Sequence, residues 1–340
     1  MILRTFPFKL QPAGGPFEDP ALLVTPTNQD SAVLLDCGTI HGLKTRDLQK
    51  VRWLFLSHLH IDHLIGFDHL LRVRLFSELP LTVYGPEGTV EAIGHRLRGY
   101  AWNLTSGSPF VVNAFDLGSQ AGSACFRCHD RFIEAAIEDE RERPDSSGRV
   151  RLDPTTAVAC HPLDHGVPCL AYRLDRVLPP KFSLETAQSL GLQPGPWVKS
   201  LVSGQPIRLA VGEFERDQDW LSERLLSPPV RSSLGYLTDT RLTEPLTLAL
   251  SGFFRKVDVL CCESAYLAEE AETAEKNLHM TTSGVARLAA LCEVSELRIF
   301  HLSRRHHDAG SEKHLAQVRE VFPESYLLAD ASRAASETPS

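Results

Sequence analysis

Four polar residues with metal-binding side chains, three histidines and an aspartate, lie within one octapeptide, Leu56-Ser57-His58-Leu59-His60-Ile61-Asp62-His63. Imidazole nitrogens and carboxylate oxygens together suit zinc-like ions. Three further candidates follow short apolar runs later in the chain: His165, Asp239 and His301. Seven donors are enough for two metal ions, and two such ions held close together make a hydrolytic centre.

The octapeptide lies where a strand is predicted to turn into a helix. Residues 52–56 form an apolar run typical of a buried strand, and from Asp62 the apolar residues recur at helical spacing. Side chains at such a turn can converge on one point instead of alternating between two faces. The alternative, a solvated histidine-rich turn, gives no reason for three histidines and an aspartate at this spacing.

The composition limits the class of protein. The chain has 340 residues, 43% of them hydrophobic, which is enough for one large core or two modest ones. No apolar run approaches the ~18 residues of a membrane span, and the start lacks the features of a signal peptide. We therefore expect a cytoplasmic protein, with no membrane partner and no disulfide scaffold among its eight scattered cysteines. The net charge of −8 disfavours a generic nucleic-acid binder but allows a local basic surface.

Strand-like runs alternate with helical ones along the chain, which predicts a layered α/β protein. Residues 103–155 are predicted to supply β-hairpins, and residues 331–340 are small, polar and predicted to be disordered. Residues 176–215 are interrupted by prolines and glycines, which predicts an insertion with at most a short helix near 184–189. Other strands are predicted at 32–36, 81–84, 158–161, 169–174, 234–237, 258–262 and 297–300, and helices at 85–99 and 282–292.

The octapeptide has the His-x-His-x-Asp-His signature of the metallo-β-lactamase superfamily, which by itself indicates no particular reaction. Further similarity follows in order from about residue 30 to residue 308. Together these segments resemble ribonuclease Z, the endonuclease that removes the 3′ trailer from precursor tRNA. The segments are Asp164-His165-Gly166-Val167-Pro168, Pro194-Gly195-Pro196, Thr238-Asp239-Thr240, Cys262-Glu263-Ser264-Ala265, His279-Met280-Thr281 and His301-Leu302-Ser303-Arg304-Arg305.

The resemblance implies a four-layer αββα sandwich, formed by residues 1–330 as a single domain with an inserted flexible arm at about 176–215. In the family this arm binds tRNA and extends over the neighbouring subunit, so the resemblance also implies a homodimer. It implies two zinc ions per chain, the first held by His58, His60 and His165, the second by Asp62, His63 and His301, with Asp239 bridging them. Manganese and iron accept the same ligands, so the sequence leaves the metal open.

The resemblance also implies the remaining roles. Asp62 would orient the attacking water, and Glu263 with His279 would relay a proton to the leaving 3′ oxygen. Ser303, Arg305 and Lys199 would contact the substrate, since Arg offers paired donors to phosphate oxygens.

Each of these residues has a plainer interpretation. Asp239 could be a turn residue after a strand, Glu263 could pair with a structural arginine, and His279 could begin a helix. His161 competes with His165, whereas His69, His306 and His307 are expected at packed or surface positions. The sequence Cys125-Phe126-Arg127-Cys128-His129 matches a haem-attachment pattern and half of a zinc site, and we interpret it as a chance match.

The chain also departs from the family. The N-terminal Gly-Thr-Gly turn is absent, Thr238 replaces a glycine, Cys262 replaces a histidine, and the arm is poor in Lys and Arg. These departures keep two other functions open. The first is a metallo-hydrolase acting on a small phosphodiester, a sulfate ester or another ester. The second is a non-catalytic module with a degenerate site, which predicts that the purified protein holds no metal.

Overall fold

The computed structural model describes residues 6–118, 122–137 and 140–330, so the tail predicted at 331–340 lies outside it. Within the described residues the chain divides into two compact units. The larger contains the residues up to Leu152, residues 157–174 and the residues from Ser233 onward; the smaller contains residues 153–156 and 175–232. None of the described helices is long and apolar enough to cross a membrane.

One mixed sheet follows the chain from its first strand to its eighth. Its strands β1 to β8 span Phe8–Pro12, Leu22–Pro26, Ala32–Leu35, Val51–Phe55, Leu81–Gly85, Val111–Asp116, Ser123–Arg127 and Glu134–Ala135. Strands β3 to β6 pair in parallel and the flanking strands pair antiparallel. Every residue of β3 and β5 is buried, as expected for parallel strands covered on both faces.

A second sheet has the order β17-β16-β15-β14-β11-β10-β9. Strands β9 to β11 span Val150–Arg151, Thr156–Pro162 and Leu170–Leu178, and β14 to β17 span Val230–Leu237, Val259–Glu263, Glu296–Phe300 and Ser325–Leu327. Strands β12 (Arg208–Val211) and β13 (Phe214–Asp217) form a separate hairpin. Strands β14 to β17 are parallel, so their carboxyl ends lie at one edge.

Eleven α-helices lie within the described residues. Helices α1 to α11 span Thr45–Leu48, Ile61–Leu64, Phe67–Arg74, Thr89–Arg98, Leu184–Ser189, Trp197–Val202, Gln218–Leu225, Glu244–Phe253, Ala271–Asn277, Thr282–Cys292 and Glu312–Val321. A 3-10 helix at Arg304–Ala309 follows β16.

Three large hydrophobic clusters among the described residues of the larger unit define four layers. The central cluster joins the two sheets; the Phe55 ring, for example, lies 5.2 Å from that of Tyr172. A second cluster packs α3 and α4 against the outer face of the first sheet, and a third packs α8, α10 and α11 against the outer face of the second. The predicted αββα architecture is therefore confirmed.

The smaller unit has more regular structure than the sequence indicated. The short helix predicted near 184–189 is α5, but α6, α7 and the β12–β13 hairpin are also present. Their buried core consists of Ala187, Leu192, Leu201, Leu221 and Leu225. The expectation of at most one short helix was wrong, because apolar residues spread over residues 187–225 collapse together even though prolines interrupt the chain. The unit also extends beyond the 176–215 predicted for the arm.

The helix predicted from Asp62 onward is broken at Gly66, between α2 and α3. A Cβ atom at this position would lie 2.3 Å from the carbonyl oxygen of Gly38 and 3.0 Å from that of Cys37. The Gly66 amide donates to the same Cys37 carbonyl at 2.8 Å. The break thus lets the octapeptide segment pack directly against the loop after β3.

Gly66→Ala is expected to destabilise the fold by about 1–3 kcal/mol. The added Cβ would clash with backbone carbonyl oxygens, which cannot move away as a flexible side chain can. The free energy of unfolding in urea measures the effect. Gly252→Ala is the matched control, since a Cβ there, in α8, meets nothing within 4 Å. Equal stability losses in the two variants would contradict the packing argument.

Candidate metal centre

The seven predicted ligands converge at the carboxyl ends of strands from both sheets. Asp239 follows β14 and is almost fully buried. Its Oδ2 atom lies 3.4 Å from His63 Nε2, 3.6 Å from His165 Nε2 and 3.8 Å from His58 Nε2, and its Oδ1 lies 3.3 Å from His301 Nε2. One carboxylate therefore reaches four of the predicted imidazoles.

Asp62 and His60 complete the group of seven candidates. The Oδ2 atom of Asp62 lies 3.7 Å from His63 Nε2 and 3.9 Å from His301 Nε2. The donor atoms of His60, His58 and His165 all lie within 4.8 Å of one another, and the same holds for Asp62, His63 and His301. These two groups have the members that the resemblance implied, and two further groups overlap with them: His58-His63-Asp239 and His165-Asp239-His279.

Hydrogen bonds at Nδ1 hold two of the imidazoles in place. His165 Nδ1 donates to the carbonyl of Leu278 at 2.8 Å, and His63 Nδ1 donates to Asp36 Oδ2 at 2.9 Å. The Nε2 atoms of His58 and His63 are buried and have no hydrogen-bond partner in the described part of the chain. Burial without a partner is costly for a polar atom. A cation coordinated by these nitrogens would remove that cost, so the donor set fits a divalent metal.

The electrostatics of the centre also suit a cation. Burial, together with the neighbouring His63, lowers the pKa of His58 to about 2, so this imidazole is neutral, as a ligand must be. Burial also disfavours a charge on His63, but the carboxylates of Asp239 and Asp36 outweigh it and raise the pKa of His63 well above its usual range. The two carboxylates thus favour positive charge at this position, whether a proton or a metal ion carries it.

Asp36 is a site residue that was predicted only as the end of the strand at 32–36. It is fully buried at the end of β3, with φ of 55°. It accepts hydrogen bonds from the Ser57 amide (2.7 Å), the Ser57 hydroxyl (2.8 Å) and the Tyr236 hydroxyl (2.9 Å), in addition to His63. The available signal was an acidic residue ending a fully apolar strand, where a carboxylate is rarely buried without partners.

Asp36→Asn is expected to weaken metal binding by about 10–100-fold, the usual cost of losing an outer partner of a metal-bound histidine. An asparagine has only one acceptor oxygen. If it takes the Oδ2 position, its NH2 group faces the Ser57 amide, and if it takes the Oδ1 position, its NH2 group faces His63 and Tyr236. Competition with a chelator for zinc measures the change. Asp116→Asn is the control, because Asp116 accepts from the Val90 amide away from the site. Equal zinc affinity in the two variants would contradict this role.

Glu263 and His279 form a buried pair beside the ligands. Glu263 is fully buried; its Oε1 accepts from the amides of Thr240 and Met280, each at 3.2 Å, and its Oε2 accepts from His279 Nδ1 at 2.8 Å. His279 Nε2 lies 4.0 Å from Asp239 Oδ2. Burial opposes the charge on His279, but Glu263 outweighs it and raises the pKa of His279 to about 9. The pair can hold a proton at Nε2, facing the centre.

The two departures from the family near this site have structural explanations. Thr238 is not in the left-handed region that favours glycine, and its hydroxyl donates to Asp239 Oδ1 at 2.7 Å. Cys262 is fully buried in the cluster between the second sheet and its helices. Burial raises the pKa of its thiol well above the usual range, so Cys262 serves as a small apolar side chain.

A cleft of about 280 Å³ opens beside the ligands. Its lining includes Asp19, Asp62, His279, His301, Ser303 and Arg304. Arg305, which the resemblance implied as a substrate contact, donates to Glu270 Oε1 at 3.3 Å. Lys199 is an exposed residue of α6 in the smaller unit.

The other candidates lie elsewhere. His161 Nδ1 contacts the carbonyl of Pro162, and His69 stacks on His41 at 4.6 Å. Cys125 and Cys128 are buried in hydrophobic clusters on opposite faces of the first sheet, so their thiols do not converge on a haem or zinc. All eight cysteines lie within the described residues and are free.

Comparison with known proteins decides the family. No protein-family model matches the chain. The ribonuclease Z of Deinococcus radiodurans is 33% identical to it over 318 residues, which cover 91% of this chain and 94% of that protein. The chain belongs to the ribonuclease Z family. The ribonuclease BN of Cronobacter sakazakii is a further relative, 29% identical over 320 residues that cover 91% of each protein.

Solved structures agree on the fold. The short form of human tRNase Z matches with a TM-score of 0.51 and 17% identity, over 88% of this chain and 93% of that chain. The Bacillus subtilis metallo-β-lactamase fold protein YhfI matches with a TM-score of 0.56 and 14% identity, over 94% of this chain and 95% of that chain. The ribonuclease Z family, this fold and the converging donors together indicate a site for divalent metal.

Proposed function

We propose that this protein is a zinc-dependent endoribonuclease that removes the 3′ trailer of precursor tRNA by hydrolysing one phosphodiester. The observation that carries the proposal is the convergence of seven donors, Asp239 among them, in a chain of the ribonuclease Z family. In this proposal His58, His60 and His165 would hold one ion, Asp62, His63 and His301 would hold the second, and Asp239 would contribute to both sites. When bound, such a pair lowers the pKa of water and neutralises charge that develops on the phosphate.

The side chains supply orientation and a proton. The Asp62 carboxylate lies on the cleft lining and can accept a hydrogen bond from the attacking water, which fixes the direction of attack. His279 carries its proton at Nε2, facing the cleft, while Glu263 holds Nδ1 and stabilises the protonated ring. As the bond to the leaving 3′ oxygen breaks, that proton can pass to the oxygen, and Glu263 then stabilises the ring that remains.

The substrate and assembly are part of the same proposal. The smaller unit, residues 175–232 with 153–156, is proposed as the tRNA-binding arm, with Lys199 among its phosphate contacts. Its seven basic residues are balanced by seven acidic ones over 175–232, so local placement rather than net charge would attract RNA. A homodimer is proposed, and a monomeric mass in solution would contradict it. A cytoplasmic location would follow from the proposed substrate.

The test compares two substrates for the zinc- or manganese-loaded protein. A precursor tRNA with a 3′ trailer is expected to be cleaved with a much higher kcat/KM than bis(p-nitrophenyl) phosphate, a small diester that requires only the metal centre. Hydrolysis of the small diester without cleavage of the precursor would reject the tRNA assignment and favour the small-ester alternative. Absence of metal and of both activities would favour the non-catalytic alternative.

A further inference from the structure

Two consecutive arginines follow the last metal-ligand candidate, and their surroundings differ. The Arg305 guanidinium pairs with Glu270 and lies 5.1 Å above the ring of Tyr266. Arg304 lies on the lining of the cleft, close to His301. The two side chains therefore have different access to a molecule bound at the metal centre.

The partner of Arg305 is fixed by further hydrogen bonds. Glu270 Oε2 also accepts from His306 Nε2 at 2.8 Å and from the Leu267 amide at 2.9 Å. Moving Arg305 toward a substrate would break its ion pair and its stacking on Tyr266. These contacts make Arg305 part of the structure that joins the 3-10 helix to the chain before α9.

Arg304 is held in a way that leaves donors available. Its Nη2 pairs with Asp19, and its Nε contacts the Phe17 carbonyl at 3.4 Å. Its Nη1 has no hydrogen-bond partner in the part of the chain that the structure describes, and the side chain is 71% exposed. Asp19 is more enclosed, and its backbone carbonyl accepts from the Thr39 amide at 3.3 Å. Asp19 thus anchors a guanidinium that still faces solvent at the cleft.

We propose that Arg304, positioned by Asp19, binds a phosphate of the RNA next to the one that is hydrolysed. This rests on the proposed function, and it reassigns to Arg304 the phosphate contact expected of Arg305. A guanidinium offers paired donors to phosphate oxygens, and an exposed ion pair such as Arg304–Asp19 costs little to share with a second anion. RNA has a phosphate on each side of the bond that is cut, so a cationic group at the edge of the cleft suits a polynucleotide.

Arg304→Gln and Arg305→Gln form a matched pair for the test with the metal-loaded full chain. For Arg304→Gln, kcat/KM on precursor tRNA is expected to fall about tenfold and the log–log salt slope to decrease by about one, as for the loss of one phosphate contact. Arg305→Gln is expected to lower the melting temperature and keep the salt slope. A decreased slope in Arg305→Gln alone, or equal decreases in both variants, would overturn the proposal.

The positioning role of Asp19 requires a double-mutant cycle. Asp19→Asn is expected to raise KM for precursor tRNA several-fold in the presence of Arg304, and to have no further effect in the Arg304→Gln background. A merely structural role would give the same loss in both backgrounds and would overturn this part of the proposal.

A small probe separates failure of this proposal from failure of the tRNA assignment. Adenosine 3′,5′-bisphosphate can place one phosphate at the metal centre and the other at Arg304, whereas adenosine 3′-monophosphate has only one. Both compounds are tested as inhibitors of bis(p-nitrophenyl) phosphate hydrolysis. Arg304→Gln should raise the Ki of the bisphosphate about tenfold and the Ki of the monophosphate much less. If precursor tRNA is not cleaved, this difference between the two compounds still supports the Arg304 site. Equal Ki values of the bisphosphate for the wild type, Arg304→Gln and Arg305→Gln would overturn it.

Discussion

Asp239→Ala is expected to remove most of the bound metal and to lower the hydrolysis rate on the order of 10³-fold or more. The Asp239 carboxylate lies within 3.3–3.8 Å of the Nε2 atoms of four histidines, so it is the donor that connects the two ligand sets. Its loss also leaves the buried imidazoles without the negative charge that favours a cation. Metal content by plasma mass spectrometry and steady-state rates on a phosphodiester measure the two effects.

Asp116→Ala provides the comparison, because it removes a carboxylate that accepts from the Val90 amide outside the site. That variant is expected to keep its metal. Normal metal content in Asp239→Ala, even with a low rate, would mean that the two ligand sets bind independently of Asp239.

Glu263→Gln is expected to lower the rate about 10²–10⁴-fold while metal is retained, because it disables proton transfer but removes none of the seven donors. It should also change the pH profile. Glu263 raises the pKa of His279 to about 9, and burial alone lowers it. Without the carboxylate, His279 loses its proton at lower pH, so the basic limb of the pH–rate profile should move to lower pH. Rates from pH 6 to 10, together with metal content, measure both effects.

Glu142→Gln is the matched control, since Glu142 is also a buried carboxylate but accepts from Arg52, away from the site. A second control is His279→Ala. It should lower the hydrolysis rate about as much alone as together with Glu263→Gln, because the pair acts as one unit. Loss of metal in Glu263→Gln would show that Glu263 supports the ligands and would refute the relay.

The sequence predicted those features that depend on local pattern. Strand β4 was placed within one residue and α10 with its observed bounds, because apolar runs and helical spacing directly reflect burial. The candidate metal ligands stood out because histidines and aspartates at this spacing have no packing role. The order of motifs along the chain then indicated the αββα fold, which the structure confirms.

Features that depend on distant contacts could not be predicted in this way. In the sequence, Asp36 looks like an ordinary residue at the end of a strand. Its hydrogen bond from Tyr236, 200 positions later, is visible only in the structure. Gly66 breaks a helix because of its approach to the loop after β3, and nothing in its own neighbourhood shows this. Likewise, the resemblance singled out Arg305, and the different ion pairs of the two arginines, Arg304 with Asp19 and Arg305 with Glu270, are visible only in the structure.

The most direct test of the proposed activity is the position of the cut in a precursor tRNA with a labelled 5′ end. We expect one metal-dependent cut just past the acceptor stem, at single-nucleotide resolution, which a chelator abolishes and zinc or manganese restores. A precursor that stays intact while a small diester is hydrolysed, or that is cut at many sites along the chain, would contradict it.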